Sequence, residues 1–185
     1  MRVLVACEMS GKVRDRYRAR GHDAYSCDIL PNDSPYHIQG DVLPILNGGW
    51  DQIIAFPPCT RLCNSGVRWL HERNLWRDMH LAAVFFRRIL NADCEHIAVE
   101  NPIMHKYAVE RIGRKADQFI QPWQFGHPET KRTGLHLKGL PKLVPTNIVE
   151  GREQSMWKMA PSADRSILRS TTYDGIADAM ASQWG

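Results

Sequence analysis

The chain has 185 residues, of which 43% are hydrophobic and 24% charged, and a formal net charge of +4. That is the length and balance of one globular domain with a sizeable core. No apolar run approaches the roughly 20 residues that cross a bilayer, and the run in MRVLVACEMSGK is too short for a secretory signal. A soluble, cytoplasmic protein with no membrane partner is therefore expected.

RVLVAC predicts a short buried strand, and EMSG turns the chain into a helix from Lys12 to Arg20. That helix, KVRDRYRAR, holds five basic residues in nine positions. A solvated face or contact with phosphate would each account for it. GHDAYSCDI predicts a second strand ending on Asp28, and a weak third strand precedes Asp41. WDQIIAF is a strand that stops at Pro57, because proline interrupts the hydrogen-bond ladder. From His71 to Leu90, residues Leu75, Met79, Ala82, Ala83, Phe86 and Ile89 recur at helical spacing. EHIAVENP predicts a strand stopping at Asn101-Pro102, followed by a short helix ending at Gly113. DQFIQPWQFG and TGLHLKGL predict two more strands, and YDGIADAMASQW a helix with Ile176, Met180 and Trp184 on one face.

Such alternation predicts a three-layer α/β domain with a mostly parallel sheet, undivided over residues 1–185. Ligands of these sheets sit beyond the C-terminal ends of the strands. Ser10, Asp28, Asp41, Pro57 to Cys59, and Glu100-Asn101 all fall at such ends, so residues far apart in sequence should converge on one rim. Asp28 suits hydrogen bonds to ribose hydroxyls, or equally a helix cap. Gly11 lets backbone approach a ligand, though SGK matches neither a GxGxxG nor a Walker sequence.

The five cysteines stand at positions 7, 27, 59, 63 and 94. Their odd number and scattered spacing fit neither a disulfide framework nor a zinc site. Cys59 follows two prolines at a strand end, where a thiol is either a nucleophile or a buried structural group. Glu100 ends the next strand, which a crossover helix can make a sheet neighbour of the first. A glutamate opposes a thiolate, but it makes sense if it grips or protonates a ring nitrogen of the substrate.

FPPC followed by ENP resembles the Pro-Cys loop and Glu-Asn pair of the DNA (cytosine-5) methyltransferase family. GDV at Gly40 to Val42 and FGHP at Phe125 to Pro128 are similar to further segments of that family. The likeness spans about residues 2 to 140, with the last helix where the family places its final motif. It implies a Rossmann-like fold that binds S-adenosyl-L-methionine (SAM) and methylates cytosine C5 in DNA. In that reading Cys59 attacks C6, Glu100 binds the N3 edge and Asn101 holds the loop. Ser10, Gly11, Asp28, Asp41 and Pro57 would hold SAM. Pro58, Asn64, Ser65, Lys131, Arg132 and Arg165 would face the substrate.

The departures are specific. CEMSG keeps only Gly11 of the family's Phe-x-Gly-x-Gly. Its Gln-x-Arg-x-Arg becomes ETKRT, with Lys131 at the first arginine, Thr133 at the second and Arg132 out of register. Its final Gly-Asn becomes Gly175-Ile176. Only Pro141 to Ser170 lie where the family inserts a target-recognition domain, so none is expected. The DNA would then be single-stranded or loosely recognised, unless a partner supplies recognition. Two alternatives stay open: a same-fold enzyme using free cytosine nucleotides or a SAM-like cofactor, and a non-catalytic protein that binds nucleic acid or inhibits a methyltransferase. Arg61, Arg68, Trp69 and Arg73 either grip phosphate and stack a base or pack inward. Cys63 reads as a packing residue.

Overall fold

The computed structural model describes residues 1–155 and 170–185. Short apolar runs form β1 (Arg2–Ala6), β2 (Asp23–Asp28), β3 (His37–Gln39), β4 (Gln52–Ala55), β5 (His96–Pro102), β6 (Gln118–Ile120) and β7 (Thr133–Lys138). Among the described residues these make one sheet in the order β3-β2-β1-β4-β5-β7-β6. Only the pairings of β7, with β5 and β6, are antiparallel. This is the three-layer, mostly parallel architecture that the alternation predicts.

Each central strand sends alternate residues to opposite faces. Val3, Val5, Ile54 and Ala98 face one layer, and Leu4, Ala6, Ile53, Ala55, Ile97 and Val99 the other. Strands buried on both sides need such unbroken apolar runs. α3 (Trp76–Leu90) and α4 (Lys106–Ile112) cover the second face with Met79, Ala83, Phe86, Ile89 and Ala108. α1 (Lys12–Ala19) and α5 (Asp174–Gln183) cover the first with Val13, Tyr17, Ile176, Ala177 and Met180.

One boundary differs from expectation. The helical stretch expected from His71 is divided between α2 (Val67–Glu72) and α3. Between them Asn74 has φ of 50°, a left-handed conformation that asparagine tolerates and that ends a right-handed helix. β5 ends at Pro102, where the strand is expected to stop. Its β4 partner ends at Ala55, opposite Val99, whereas β7 continues to pair as far as Pro102. Proline is tolerated where one neighbouring strand has already ended.

The basic run of α1 is committed within the fold. Lys12 and Arg16 pair with Asp174 at 3.0 and 3.4 Å, and Arg16 and Arg20 with Asp178 at 2.9 and 3.8 Å. Arg14 is buried against Ser26, and Arg18 lies over the Tyr36 ring. Half-exposed pairs of this kind contribute little stability each, but they fix the register of α1 against α5. Tyr17 adds a buried bond from its hydroxyl to the Met180 carbonyl at 2.9 Å.

Gly175 sits at the start of α5, and any Cβ there would collide with the Phe125 carbonyl. Replacing Gly175 by Ala is expected to lower stability by about 1–3 kcal/mol, as overpacking does, read as a lower urea midpoint with an unchanged m-value.

Candidate active site

β1 and β4 are neighbours, but the chain leaves them in opposite directions, β2 and β3 lying to one side and β5 to the other. A crevice opens at such a point, beyond the strand ends. A cleft of about 610 Å³ occupies it, lined by Cys7 to Ser10 after β1, Asp28 and Leu30 after β2, and Phe56 to Arg61 after β4. Glu100, Lys131, Thr133 and Tyr173 close its other side. The volume is ordinary for a small-molecule or nucleotide site.

The segment after β4 is built from two ties. Phe56 N–H extends the β1 ladder by donating to Ala6, after which Pro57-Pro58 turns the chain. The N–H groups of Leu62 and Cys63 both donate to the Cys59 carbonyl, at 2.9 and 3.0 Å, closing one tight turn. Cys59 and Cys63 are therefore four residues apart on one turn, and both side chains reach the cleft. The second tie is to the segment after β5: Asn64 N–H donates to Ile103 and His105 N–H to Leu62. The His105 ring completes it. Its Nδ1 accepts from Ala108 N–H at 3.0 Å, capping α4, which leaves Nε2–H to donate to the Arg61 carbonyl at 2.9 Å.

Ionisation in the cleft is governed by burial. Burial pushes the Glu100 carboxyl up, and the Lys131 ammonium and a bond from Thr133 only partly oppose it. Glu8 is buried and accepts from Val13 and Arg14 N–H at 2.7 and 3.3 Å, yet its pKa rises to about 7. Cys7, held at φ of 57°, is pushed up to about 12 by burial and then by Asp28. The Cys59 thiol is also raised, by its interaction with the Cys63 thiol, by burial and by the Glu100 charge. Cys63 moves the other way, to about 5, because the Cys59 thiol, the Ser65 hydroxyl and backbone N–H groups all favour its thiolate.

The sequence-derived residues divide into two groups. Ser10, Asp28, Pro57, Pro58, Cys59, Ser65, Glu100 and Lys131 line the cleft. Gly11, Asp41, Asn64, Asn101 and Arg132 are not among its lining residues. Gly11 starts α1 with φ of 72°, and the space beside it holds the Arg14 guanidinium, so it seats its own helix. Asp41 is exposed and caps its turn by accepting from Leu43 N–H. Asn64 is exposed, and Arg132 stacks on Phe119. Asn101 is buried, donating to the Pro102 carbonyl at 2.7 Å. Arg165 lies outside the described residues. Trp69 lines the cleft, with the Arg68 and Arg73 guanidinium groups 4.2 and 4.1 Å from its ring centroid.

Sequence reasoning missed Glu8, His105 and Tyr173. Glu8 carried a signal, an acid directly between a buried strand and a helix. His105 carried none, because its role depends on two segments that meet only in the fold.

No family model matches the sequence, and no curated protein matches it. Solved structures do share the fold. One is a protein described as a DNA modification methyltransferase encoded within an Escherichia coli prophage, with TM-score 0.53 and 17% identity, over 87% of this chain and 55% of that one. Another is the Entamoeba histolytica methyltransferase EhMeth, with TM-score 0.53 and 15% identity, over 90% of this chain and 62% of that one. The chain thus spans little more than half the length of these two proteins. The likeness establishes the α/β fold with its mostly parallel seven-stranded sheet.

Because His105 joins α4 to the Cys59 turn, His105→Ala leaves the Arg61 carbonyl and the Ala108 N–H without these partners. A loss of about 1–3 kcal/mol is expected, measured by urea unfolding. Hydrogen exchange should also speed up at Leu62 to Asn64 before it does in β4.

Proposed function

We propose that the chain is a SAM-dependent methyltransferase acting at C5 of cytosine in DNA through a covalent Cys59 adduct at C6. One observation carries this reading: Cys59 follows β4 and Glu100 lies on the adjacent strand β5, and both line one cleft. A base-directed nucleophile has a use for a neighbouring acid, which can hold a ring nitrogen of the base. The two neighbouring structures, both described as methyltransferases, support the reading at the level of fold.

The cleft wall between β1 and β2 fits the cofactor. Ser10 and Asp28 offer hydrogen-bonding groups beside the apolar Leu30, Phe56 and Pro57, and the nearby Glu8 suits a cationic ligand. When bound, SAM supplies an electrophilic methyl group. The chain's own residues supply the rest. Cytosine C5 is a poor nucleophile until the C5–C6 double bond is broken. Attack at C6 by the Cys59 thiolate, its proton having passed to water in the open cleft, turns the ring into an enamine with its electron density at C5. Burial favours the neutral Glu100 carboxyl, which suits it to donate to N3 as that nitrogen gains charge. Lys131 sits near enough to Glu100 to stabilise the carboxylate that results.

A base inside a duplex cannot reach this cleft, so the target must be flipped out or already unpaired. Trp69 with its two flanking arginines offers a stacking surface and positive charge at the cleft. A free cytosine nucleotide belongs among the substrates tested.

With labelled SAM, duplex DNA, single-stranded DNA and dCMP, the product digested to nucleosides should contain 5-methylcytosine. Cys59→Ala should abolish it, by roughly 10³-fold or more. Absence of transfer to every substrate, together with unaltered DNA binding by Cys59→Ala, would falsify the reading. A raised carboxyl acts as an acid only below its pKa, so kcat/KM should fall as pH rises through that value. Glu100→Gln should be slower by about 10²–10⁴-fold and lack this alkaline limb.

A further inference from the structure

The loop after β1 folds an acid back onto the helix that follows it. Glu8 is 5% exposed, and its Oε1 and Oε2 accept from the N–H groups of Val13 and Arg14, at 2.7 and 3.3 Å, in the first turn of α1. The N-terminus of such a helix is where α/β sheets commonly seat a ligand's phosphate. Here the chain's own carboxylate fills that seat. Its charge is not spent on an ion pair. The Arg14 guanidinium is turned to Asp15 and Ser26, both at 2.8 Å, and among the described residues no basic side chain pairs with Glu8. The cleft-lining residues after β1 and β2 include two acids, Glu8 and Asp28, and no basic residue. Arg61 and Lys131, the basic residues of the lining, belong to other segments.

Resting on the SAM reading above, we propose that Glu8 sets cofactor specificity: it bars phosphate from the α1 N-terminus and favours the sulfonium cation of SAM over the neutral thioether of S-adenosylhomocysteine. Burial raises its pKa to about 7 against the α1 N–H groups and Arg14, with Asp15 adding to the rise. A cation entering the cleft opposes that rise and draws Glu8 to its charged form. The reaction then changes the balance. Once the methyl group has left, the sulfur is neutral, and this wall no longer holds the product by charge. Glu8 thereby favours cofactor binding and product release together.

Titration calorimetry on the whole protein, with SAM and with S-adenosylhomocysteine, gives a ratio of two affinities that isolates the charge on sulfur. Glu8→Gln keeps the size of the side chain and an oxygen for the Val13 N–H. It should lower the ratio of SAM to S-adenosylhomocysteine affinity roughly tenfold, chiefly through SAM. In the wild type the ratio should rise several-fold from about pH 5.5 to 7.5, because only the carboxylate attracts the cation and it forms as pH rises through about 7. Arg14 and Asp15 on α1, with Cys7 and Asp28 on the cleft side, are the other titratable groups around it. ATP, as a phosphate-bearing probe, should not bind the wild type, and ATP affinity equal to that of SAM overturns the exclusion of phosphate. Matching thermal melts establish that Glu8→Gln is folded; where it is not, the wild-type pH series decides. A ratio unmoved in the folded variant, or flat with pH in the wild type, overturns the role of Glu8 while binding of both ligands upholds the SAM reading. Wild-type protein that binds neither ligand overturns the SAM reading and the proposal with it.

Discussion

Parallel pairing of β4 with β5, with Ala55 opposite Val99, is the constraint on which the cleft depends. It brings both strands to the rim together, so the turn after β4 and the last residues of β5 meet across one gap. Side chains alternate along a strand, and a slip of one residue would send Glu100 to the opposite face of the sheet. α3 supplies the length of chain that a parallel crossover needs, and its Phe86 and Ile89 are packed fully out of solvent beneath it. The backbone bonds between Leu62–Asn64 and Ile103–His105 then lock the two rim segments to each other. The turn that carries Cys59 gains the precision of the sheet in this way.

The same enclosure decides the charge in the cleft. Burial within the cleft pushes Cys7, Glu8 and Glu100 towards their neutral forms, and Cys59 likewise, after its interaction with Cys63. Cys63 differs because the Cys59 thiol first, and then the Ser65 hydroxyl and backbone N–H groups, favour its thiolate, so the two thiols titrate as a pair.

The far side of the sheet shows how an apparent interaction surface becomes internal structure. The lysine and arginines of α1 meet Asp174 and Asp178 of α5, residues more than 150 positions away in the chain. Tyr17 links the same two helices to β4 by accepting from Gln52 at 3.0 Å. The densest basic run is thereby committed to packing α1 against α5.

The sequence alone determined the layer architecture, since its evidence is local: apolar runs of strand length, a helical period over α3, and breakers between them. It also identified Cys59 and Glu100 as partners, because two strand ends separated by one crossover have few places to go. A boundary that rests on a single dihedral, as at Asn74, was not legible. Nor were the roles of Gly11 and Asp41, whose residue types suit a ligand and a backbone cap equally well. Only the tertiary structure decided these, along with the part played by His105. Proton affinity and hydrogen-bond partnership depend on burial and on groups brought together from distant segments, and neither is written in local sequence.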